Sequence, residues 1–317
     1  MKAWVFNGAG RPLELAEVPD PVAGPGEIVV DVRASGLCHS DVSALDDPNW
    51  AVNFRSLPIV LGHEASGVVS AVGEGVTRLS VGDRVGVPSG LPNANGYYRD
   101  GAYAEKTTAI ATAVVRVPDG LDFVTAAAGT DAGNVAHHAV VTRGQVRSGE
   151  KVGIIGIGGV GQIGARIAVV LGCEVYAAEL KEDVWPIAAG IGVVRCVKDI
   201  RELADVGLTT IIDFAGFGTT TNGALEAVAD GGRVIQVGMG RLVFEFNANP
   251  LIFKQVDLKG SMGGGVEDLQ AVYDLMGSGL LAPKVTTWDF ARIPEGLDEL
   301  RRGTVQGRIV VDMQNGI

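Results

Sequence analysis

The sequence predicts an α/β protein in which a doubly wound parallel sheet is joined to an all-β domain. From about residue 125 onward, helix-like and strand-like segments alternate, which is typical of a parallel sheet. Before about residue 120, short apolar runs are separated by turn residues, which is typical of a β domain. With 317 residues, the chain is also long enough for two domains.

The second domain is organised around residues 150–179. Residues 152–155 predict a buried strand, and residues 162–171 have the apolar spacing of a helix. The turn between them contains Gly156, Gly158, Gly159, Val160 and Gly161. Glycines let backbone amides approach a pyrophosphate, and the helix N-terminus adds partial positive charge. This pattern predicts a dinucleotide-binding turn, and the alternative is an ordinary glycine-rich turn between a strand and a helix.

An acidic residue supports the dinucleotide interpretation. A second strand is predicted over 174–178, and Glu179 follows it at the expected distance of about 20 residues from the first glycine. A carboxylate in this place accepts the ribose hydroxyls and repels a 2′-phosphate. We therefore expect NAD to be preferred over NADP.

The remaining elements follow the same two patterns. Strands of the β domain are predicted over 27–33, 65–72, 84–87 and 113–117. The second domain adds strands over 210–214 and 233–237, a helix over 221–229, and an alternating edge strand over 241–246. A helix over 266–278 and a final strand over 308–313, which returns to the first domain, complete the chain.

Composition narrows the class of protein. A net charge of -11 argues against nucleic acid or an anionic membrane as a partner. The N-terminus lacks an apolar signal core, and no apolar segment is long enough to span a membrane. The cysteines are odd in number and widely spaced: Cys38, Cys173 and Cys196. We expect a reduced, cytoplasmic location.

Two stretches of the β domain contain residue types that bind catalytic zinc. Residues 36–41 and 62–67 together supply a thiol, an imidazole and carboxylates. Taken alone, Cys38 is also explained as a small core residue, and His63 as a hydrogen-bonded histidine.

The second stretch carries a longer motif. The motif consists of Gly62, His63, Glu64, Gly67, Gly73 and Val76. With residues 36–41, 100–105 and 307–312 and the glycine turn, it resembles the zinc-type medium-chain alcohol dehydrogenase family. The resemblance implies a GroES-like catalytic domain over 1–132 and a Rossmann-type NAD-binding domain over 133–263. Residues 264–317 would return to the catalytic domain.

The resemblance also implies roles for individual residues near the motif. Cys38 and His63 correspond to zinc ligands, and Asp41 corresponds to the acid that orients the histidine. Glu64 would lie behind the metal and exchange onto it. Ser40 matches the hydroxyl that takes the substrate proton.

The cofactor has two further candidate contacts. His39 and Arg308 match cations beside the pyrophosphate, although surface charges are the alternative. Ser43 stands where many relatives carry the histidine that ends the proton relay, so the final base is left open.

The third zinc ligand departs from the common family pattern. Asp131 stands where most relatives have a second cysteine, and a one-residue slip would offer Thr130, which is a poor ligand. A helix-capping role for Asp131 is the alternative. A Cys, His and Asp set resembles that of bacterial secondary-alcohol dehydrogenases.

A second departure is the lack of the four cysteines that hold a structural zinc in many relatives, because residues 90–99 contain none. The sequence therefore predicts one catalytic zinc per chain. Candidate walls of the substrate pocket are Trp50, Phe54, Leu91 and Tyr97.

Taken together, the resemblance implies a zinc-dependent alcohol dehydrogenase or carbonyl reductase. Hydride would pass between a secondary or bulky alcohol and NAD, and the protein would form a homodimer or homotetramer. Two alternatives are a metal-free quinone or enoyl reductase of the same fold and a catalytically silent dinucleotide-binding protein.

Overall fold

The computed structural model describes residues 1–90 and 94–313. The chain divides into two compact units: unit 1 contains residues 1–134 and the segment from Gly263 onward, and unit 2 contains residues 135–262. The strands are β1 Lys2–Phe6, β2 Glu14–Glu17, β3 Glu27–Leu37, β4 Ile59–Val60, β5 Ala65–Val72, β6 Arg84–Val87, β7 Lys106–Ile110, β8 Val115–Arg116, β9 Lys151–Ile155, β10 Glu174–Ala178, β11 Arg195–Val197, β12 Thr210–Asp213, β13 Arg233–Gln236, β14 Asp257–Gly260, β15 Val285–Asp289 and β16 Arg308–Asp312.

The α-helices are fewer than the strands among the described residues. They are α1 His39–Asp46, α2 Phe123–Ala128, α3 Asn134–His137, α4 Gly161–Val170, α5 Trp185–Ile191, α6 Thr219–Ala227, α7 Ala248–Phe253, α8 Val266–Gly277 and α9 Ile293–Arg302. π-helical turns follow α2 and α3, over Gly129–Gly133 and His138–Arg143.

Unit 1 is built around β3. This strand pairs antiparallel with β5, β7 and β16, and its inward side chains lie in the main apolar core. β3 extends beyond the predicted bounds of 27–33, because its last residues pair with β16, from Ala34 opposite Asp312 to Leu37 opposite Ile309. The final strand therefore lies in the first unit, and it supports the chain directly before Cys38.

Unit 2 contains one parallel sheet. Its strand order is β11-β10-β9-β12-β13-β14, which is the doubly wound Rossmann order. The order reverses between β9 and β12. Ligands of such sheets bind in the crevice outside the carboxyl ends of the strands at this reversal. The predicted glycine turn follows β9 and therefore lies at this point.

The predicted edge strand over 241–246 is wrong. These residues form bends and irregular backbone, and the last strand of the described sheet is β14. The reason is that the backbone at the start of this segment bonds to another turn: the N–H of Arg241 donates to the carbonyl of Gly216 at 2.8 Å. Alternation of apolar residues gave no information about that partner.

Within residues 1–90 and 94–313, no helix combines the length and the apolar character that are needed to cross a bilayer.

Candidate metal and cofactor sites

Cys38 is positioned by the end of β3 and the start of α1. The cysteine is half-buried between these two elements. Its backbone N–H donates a hydrogen bond to Oδ2 of Asp41 at 3.1 Å, so the carboxylate closes the first turn of α1. The same acid that the resemblance assigns to the histidine therefore also holds the cysteine.

His63 lies between β4 and β5. Gly62 precedes it with φ +93°, and a Cβ on Gly62 would lie 2.5 Å from the ring of Tyr103, so this turn requires glycine. Nδ1 of His63 lies 3.3 Å from Oδ1 of Asp41, an ion-pair distance without hydrogen-bond alignment. The Tyr103 hydroxyl donates to Oδ2 of Asp41 at 2.7 Å. Asp41, which Tyr103 holds in place, thereby fixes the Nδ1 edge of the imidazole, and Nε2 is left for another partner.

Asp131 reaches the histidine from a π-helical turn. Such a turn places one extra residue in a helix and often occurs at functional sites. Oδ2 of Asp131 lies 3.7 Å from Nε2 of His63, and Oδ1 accepts the Ser89 hydroxyl at 2.6 Å. The neighbouring Thr130 hydroxyl donates instead to the carbonyl of Ala127 at 2.7 Å. The π-helical turn therefore brings Asp131, and not Thr130, to the imidazole.

Four side chains converge on one point. Among the described residues, ligand atoms of Cys38, His63, Glu64 and Asp131 all lie within 4.8 Å of one another. Tetrahedral zinc with nitrogen and oxygen ligands separates those donors by about 3.4 Å. The 3.7 Å between His63 and Asp131 is close to this value. Thiol, imidazole and carboxylate are also the donor types of catalytic zinc, so the residues fit this metal.

The electrostatics of the group favour a cation. Burial lowers the pKa of His63, but Asp41, Tyr97 and Asp131 outweigh it, and the net pKa is well above the usual range. Burial raises the pKa of Asp131, but the neighbouring His63 lowers it by a larger amount. The net pKa therefore lies below its ordinary value, and this carboxylate stays ionised. A positive charge beside Asp41 and Asp131 is therefore favoured, and a divalent metal ion can supply it.

Glu64 and Arg308 form a buried ion pair in the same unit. Nη2 of Arg308 donates to Oε1 of Glu64 and, at 3.0 Å, to the carbonyl of Leu37. Burial lowers the pKa of the arginine, but Glu64, Cys38 and Asp131 raise it above its ordinary value, so it stays charged. Oε2 of Glu64 is buried and without a hydrogen-bond partner. This oxygen is the atom that could turn toward a metal.

The other predicted residues of unit 1 are placed as follows. Ser40 Oγ lies 3.4 Å from His63 Nε2, whereas His39 is exposed and its Nε2 lies 3.1 Å from the Leu300 carbonyl. The ring of Tyr97 stacks on Phe54 with centroids 5.2 Å apart and lies 5.5 Å from the His63 ring.

The remaining pocket candidates are less informative. Trp50 packs against the core of unit 1, and Leu91 lies outside the described residues.

The glycine turn of unit 2 has the open geometry of a phosphate-binding turn. Gly156 has φ +85°, and a Cβ on Gly161 would lie 1.8 Å from the Gly156 carbonyl oxygen. A Cβ on Gly158 would meet no atom of the described residues within 4 Å, so a ligand can approach the backbone at this glycine. Glu179 follows β10 directly and accepts the N–H of Ile157 at 2.8 Å. The acid therefore lies at the rim of the glycine turn.

Two supporting residues were missed by the sequence analysis, which assigned no role to Ser89 or Tyr103. They bond to Asp131 and Asp41 across 42 and 62 residues of sequence. Tyr103 lies in segment 100–105, which resembles the family, but the resemblance does not indicate Asp41 as its partner. The sequence around Ser89 contains no pattern that indicates a hydrogen bond to Asp131.

Comparison with known proteins agrees with this geometry. Residues 24–119 match the alcohol dehydrogenase GroES-like domain, and residues 159–278 match the zinc-binding dehydrogenase domain. An alcohol dehydrogenase of Geobacillus stearothermophilus is 31% identical over 340 residues, which cover 99% of both chains.

Solved structures are similar over the whole chain. The acetophenone reductase of Geotrichum candidum, solved in complex with NAD, has a TM-score of 0.89 and 30% identity and covers 100% of this chain and 98% of its own. The alcohol dehydrogenase of Aeropyrum pernix has a TM-score of 0.90 and 26% identity, and the match covers 99% of this chain and 100% of that one.

The fold and the domain matches define a medium-chain dehydrogenase with a GroES-like and a Rossmann-like domain. The chain belongs to the zinc-type medium-chain alcohol dehydrogenase family, whose members are oxidoreductases that act on CH–OH groups.

Replacement of Asp131 tests the ligand set. We expect Asp131→Ala to lose most of its zinc and to lower kcat/KM by about 100-fold or more, because removal of a ligand costs at least as much as removal of its supporting partner. Asp131→Cys should recover part of the zinc, because a thiolate is the commoner ligand. Elemental analysis and an alcohol oxidation assay measure the two effects.

Thr130→Val is the matched control, since this residue neighbours Asp131 but its hydroxyl donates to the Ala127 carbonyl. If Thr130→Val lost zinc while Asp131→Ala retained it, the assignment of Asp131 as the third ligand would be wrong.

Proposed function

We propose that the protein oxidises a secondary or bulky alcohol with NAD⁺, or reduces the corresponding carbonyl compound, at one zinc ion per chain held by Cys38, His63 and Asp131. The observation that carries the proposal is the convergence of thiol, imidazole and carboxylate donors within 4.8 Å. A bound zinc would act as a Lewis acid that favours loss of the alcohol proton, and NAD⁺ would accept the hydride. A metal-free reductase of this fold would have no use for these donors.

Asp41 and Ser40 have distinct tasks in this mechanism. Asp41 holds the back of the imidazole, so that Nε2 of His63 is directed at the metal position. Ser40 Oγ lies 3.4 Å from the same Nε2, so its hydroxyl is placed to take the substrate proton. Ser43, which stands at the usual relay position, donates instead to the His39 carbonyl at 3.2 Å, so it does not continue the relay.

The stacked pair of Phe54 and Tyr97 supports a substrate with a sizeable apolar substituent. The two rings stack on each other, and the Tyr97 ring lies beside His63, so they can offer an apolar contact surface there. Burial raises the pKa of Tyr97 to about 12, so the phenol stays neutral at physiological pH. The acetophenone reductase acts, by its name, on a ketone of this kind.

The cofactor is NAD in preference to NADP. Glu179 lies at the rim of the glycine turn, where its carboxylate can accept the ribose hydroxyls. A 2′-phosphate in that position would be repelled by the same carboxylate. The acetophenone reductase was solved with NAD, which supports this choice.

Replacement of Glu179 tests the cofactor preference. We expect Glu179→Ser to reduce the ratio of kcat/KM for NAD⁺ to that for NADP⁺ by roughly tenfold or more, which corresponds to about 1.4 kcal/mol. Glu174→Ser, at the opposite end of β10, is the control and should leave the ratio unchanged. A wild type that uses NADPH more efficiently than NADH would contradict the assignment.

Serine replacements test the proton path. Ser40→Ala should lower kcat by roughly 10²-fold or more, because proton transfer by a positioned group contributes on that order. The control Ser43→Ala should lie within about twofold of wild type, since its hydroxyl donates to the His39 carbonyl within its own helix. Both variants should retain zinc in elemental analysis. Equal activities of the two variants would contradict a role for Ser40.

We also propose that the protein assembles as a homodimer or homotetramer through unit 2. β14 is the last strand of the described sheet, and such an edge can pair with a second copy. Unit 2 also exposes apolar side chains that a partner would cover, among them Leu242 (67% exposed) and Val243 (84%).

Leu242→Glu combined with Val243→Glu should therefore shift the mass in solution toward the monomer at micromolar concentration, because a buried interface does not tolerate two unpaired carboxylates. Light scattering after gel filtration measures the mass. Val22→Glu is the control, because Val22 is equally exposed (85%) but lies in unit 1. A monomeric wild type would refute the proposed assembly.

A further inference from the structure

Asp213 is a fully buried carboxylate at the carboxyl end of β12 in unit 2. Its Oδ1 accepts the backbone N–H groups of Ala215 at 3.0 Å and Gly216 at 2.9 Å. Its Oδ2 accepts the Thr220 hydroxyl at 2.8 Å, and Thr221 Oγ1 lies 3.0 Å away. These donors stabilise the buried charge. All of them belong to the turn after β12 or to the first turns of α6, so Asp213 holds these segments together.

The turn after β12 is joined to the turn after β13. We name residues 214–217 the β12 turn and residues 237–241 the β13 turn. Two backbone hydrogen bonds connect them: Gly240 N–H to Ala215 O at 3.2 Å and Arg241 N–H to Gly216 O at 2.8 Å. A Cβ on Gly216 would lie 1.9 Å from the Gly238 oxygen, so the two turns are in close contact. Asp213 therefore fixes both turns, the second one through the first.

The β12 turn also lies against the glycine turn and the first turn of α4. A Cβ on Gly156 would lie 3.4 Å from the Cβ of Ala215, and a Cβ on Gly164 would lie 2.6 Å from the ring of Phe214. The β12 turn is thus held between the glycine turn on one side and the β13 turn on the other.

The strand order assigns the two halves of a dinucleotide to opposite sides of β9. Glu179 follows β10, which pairs with one edge of β9, whereas β12 and β13 lie beyond its other edge. A pyrophosphate at the N-terminus of α4, with the adenosine ribose at Glu179, directs the second nucleotide toward the β12 and β13 turns. Phe217 and Met239, at the tips of these turns, are exposed and can meet a ligand.

We propose that Asp213 is a positioning residue for the nicotinamide half of the cofactor. By fixing the β12 and β13 turns, it sets the affinity of the protein for the nicotinamide ring and leaves the rest of the cofactor to the glycine turn and Glu179. This inference rests on the proposed binding of NAD.

Binding of NAD⁺ and of ADP-ribose by the full-length protein tests the proposal. ADP-ribose contains the adenosine, the pyrophosphate and the second ribose but lacks the nicotinamide ring. We expect Asp213→Ala to raise the Kd for NAD⁺ by about tenfold and to change the Kd for ADP-ribose by less than about twofold. Isothermal titration calorimetry measures both constants, and thermal unfolding shows whether the variant is folded.

Thr220→Val is a milder variant in case Asp213→Ala does not fold. It removes one donor to Asp213 and the acceptor of the Phe217 N–H, so it should show the same selectivity with a smaller effect. Thr219→Val is the control, because Thr219 is the exposed first residue of α6 and should match wild type with both ligands.

Equal weakening of both ligands, or no change for NAD⁺ in either variant, would overturn the role of Asp213 while the cofactor assignment stands. A wild type that binds neither ligand would refute the proposed function and this inference with it.

Discussion

The carboxylate of Asp41 is the group on which the candidate metal site depends. It accepts hydrogen bonds from the Cys38 backbone and the Tyr103 hydroxyl, and it lies beside Nδ1 of His63. These partners come from α1 and from two separate loops of unit 1. A buried carboxylate without such donors would be strongly destabilising, so the three segments are held at fixed distances from one another. The relative positions of the thiol and the imidazole follow from that constraint.

The parts of the fold that have a local cause could be predicted from the sequence. The glycine turn requires positive φ at Gly156 and close approach at Gly161, and both requirements leave a visible pattern of glycines. β5 and β10 show the expected apolar runs and were predicted with their observed bounds. The segment 241–246 shows the limit of this reasoning, because its alternation is that of a strand while its backbone is bonded to the turn after β12. Apolar periodicity describes a side chain's surroundings and does not identify a backbone partner.

The ligand residues of the candidate site could be predicted from the sequence, whereas the residues that hold them in place by hydrogen bonds could not. Cys38 and His63 stand in motifs that resemble those of a known family, and the structure brings them together with Asp131. The choice of Asp131 over Thr130 depends on a π-helical turn, for which no sequence pattern was available. Ser89 and Asp213 act through hydrogen bonds whose geometry depends on turns, so their residue types alone gave no indication of what they hold.

Unit 1 is assembled from two distant parts of the chain, and this has a consequence for the order in which the protein matures on the ribosome. Residues 135–262 form a complete unit, so they can fold as soon as they are synthesised. The end of β3 has no β16 partner, and Glu64 has no Arg308 guanidinium, until residues 308–312 are synthesised. The nucleotide-binding unit can therefore be complete before the metal-binding unit, in which Glu64 obtains its buried ion-pair partner only when Arg308 has been synthesised.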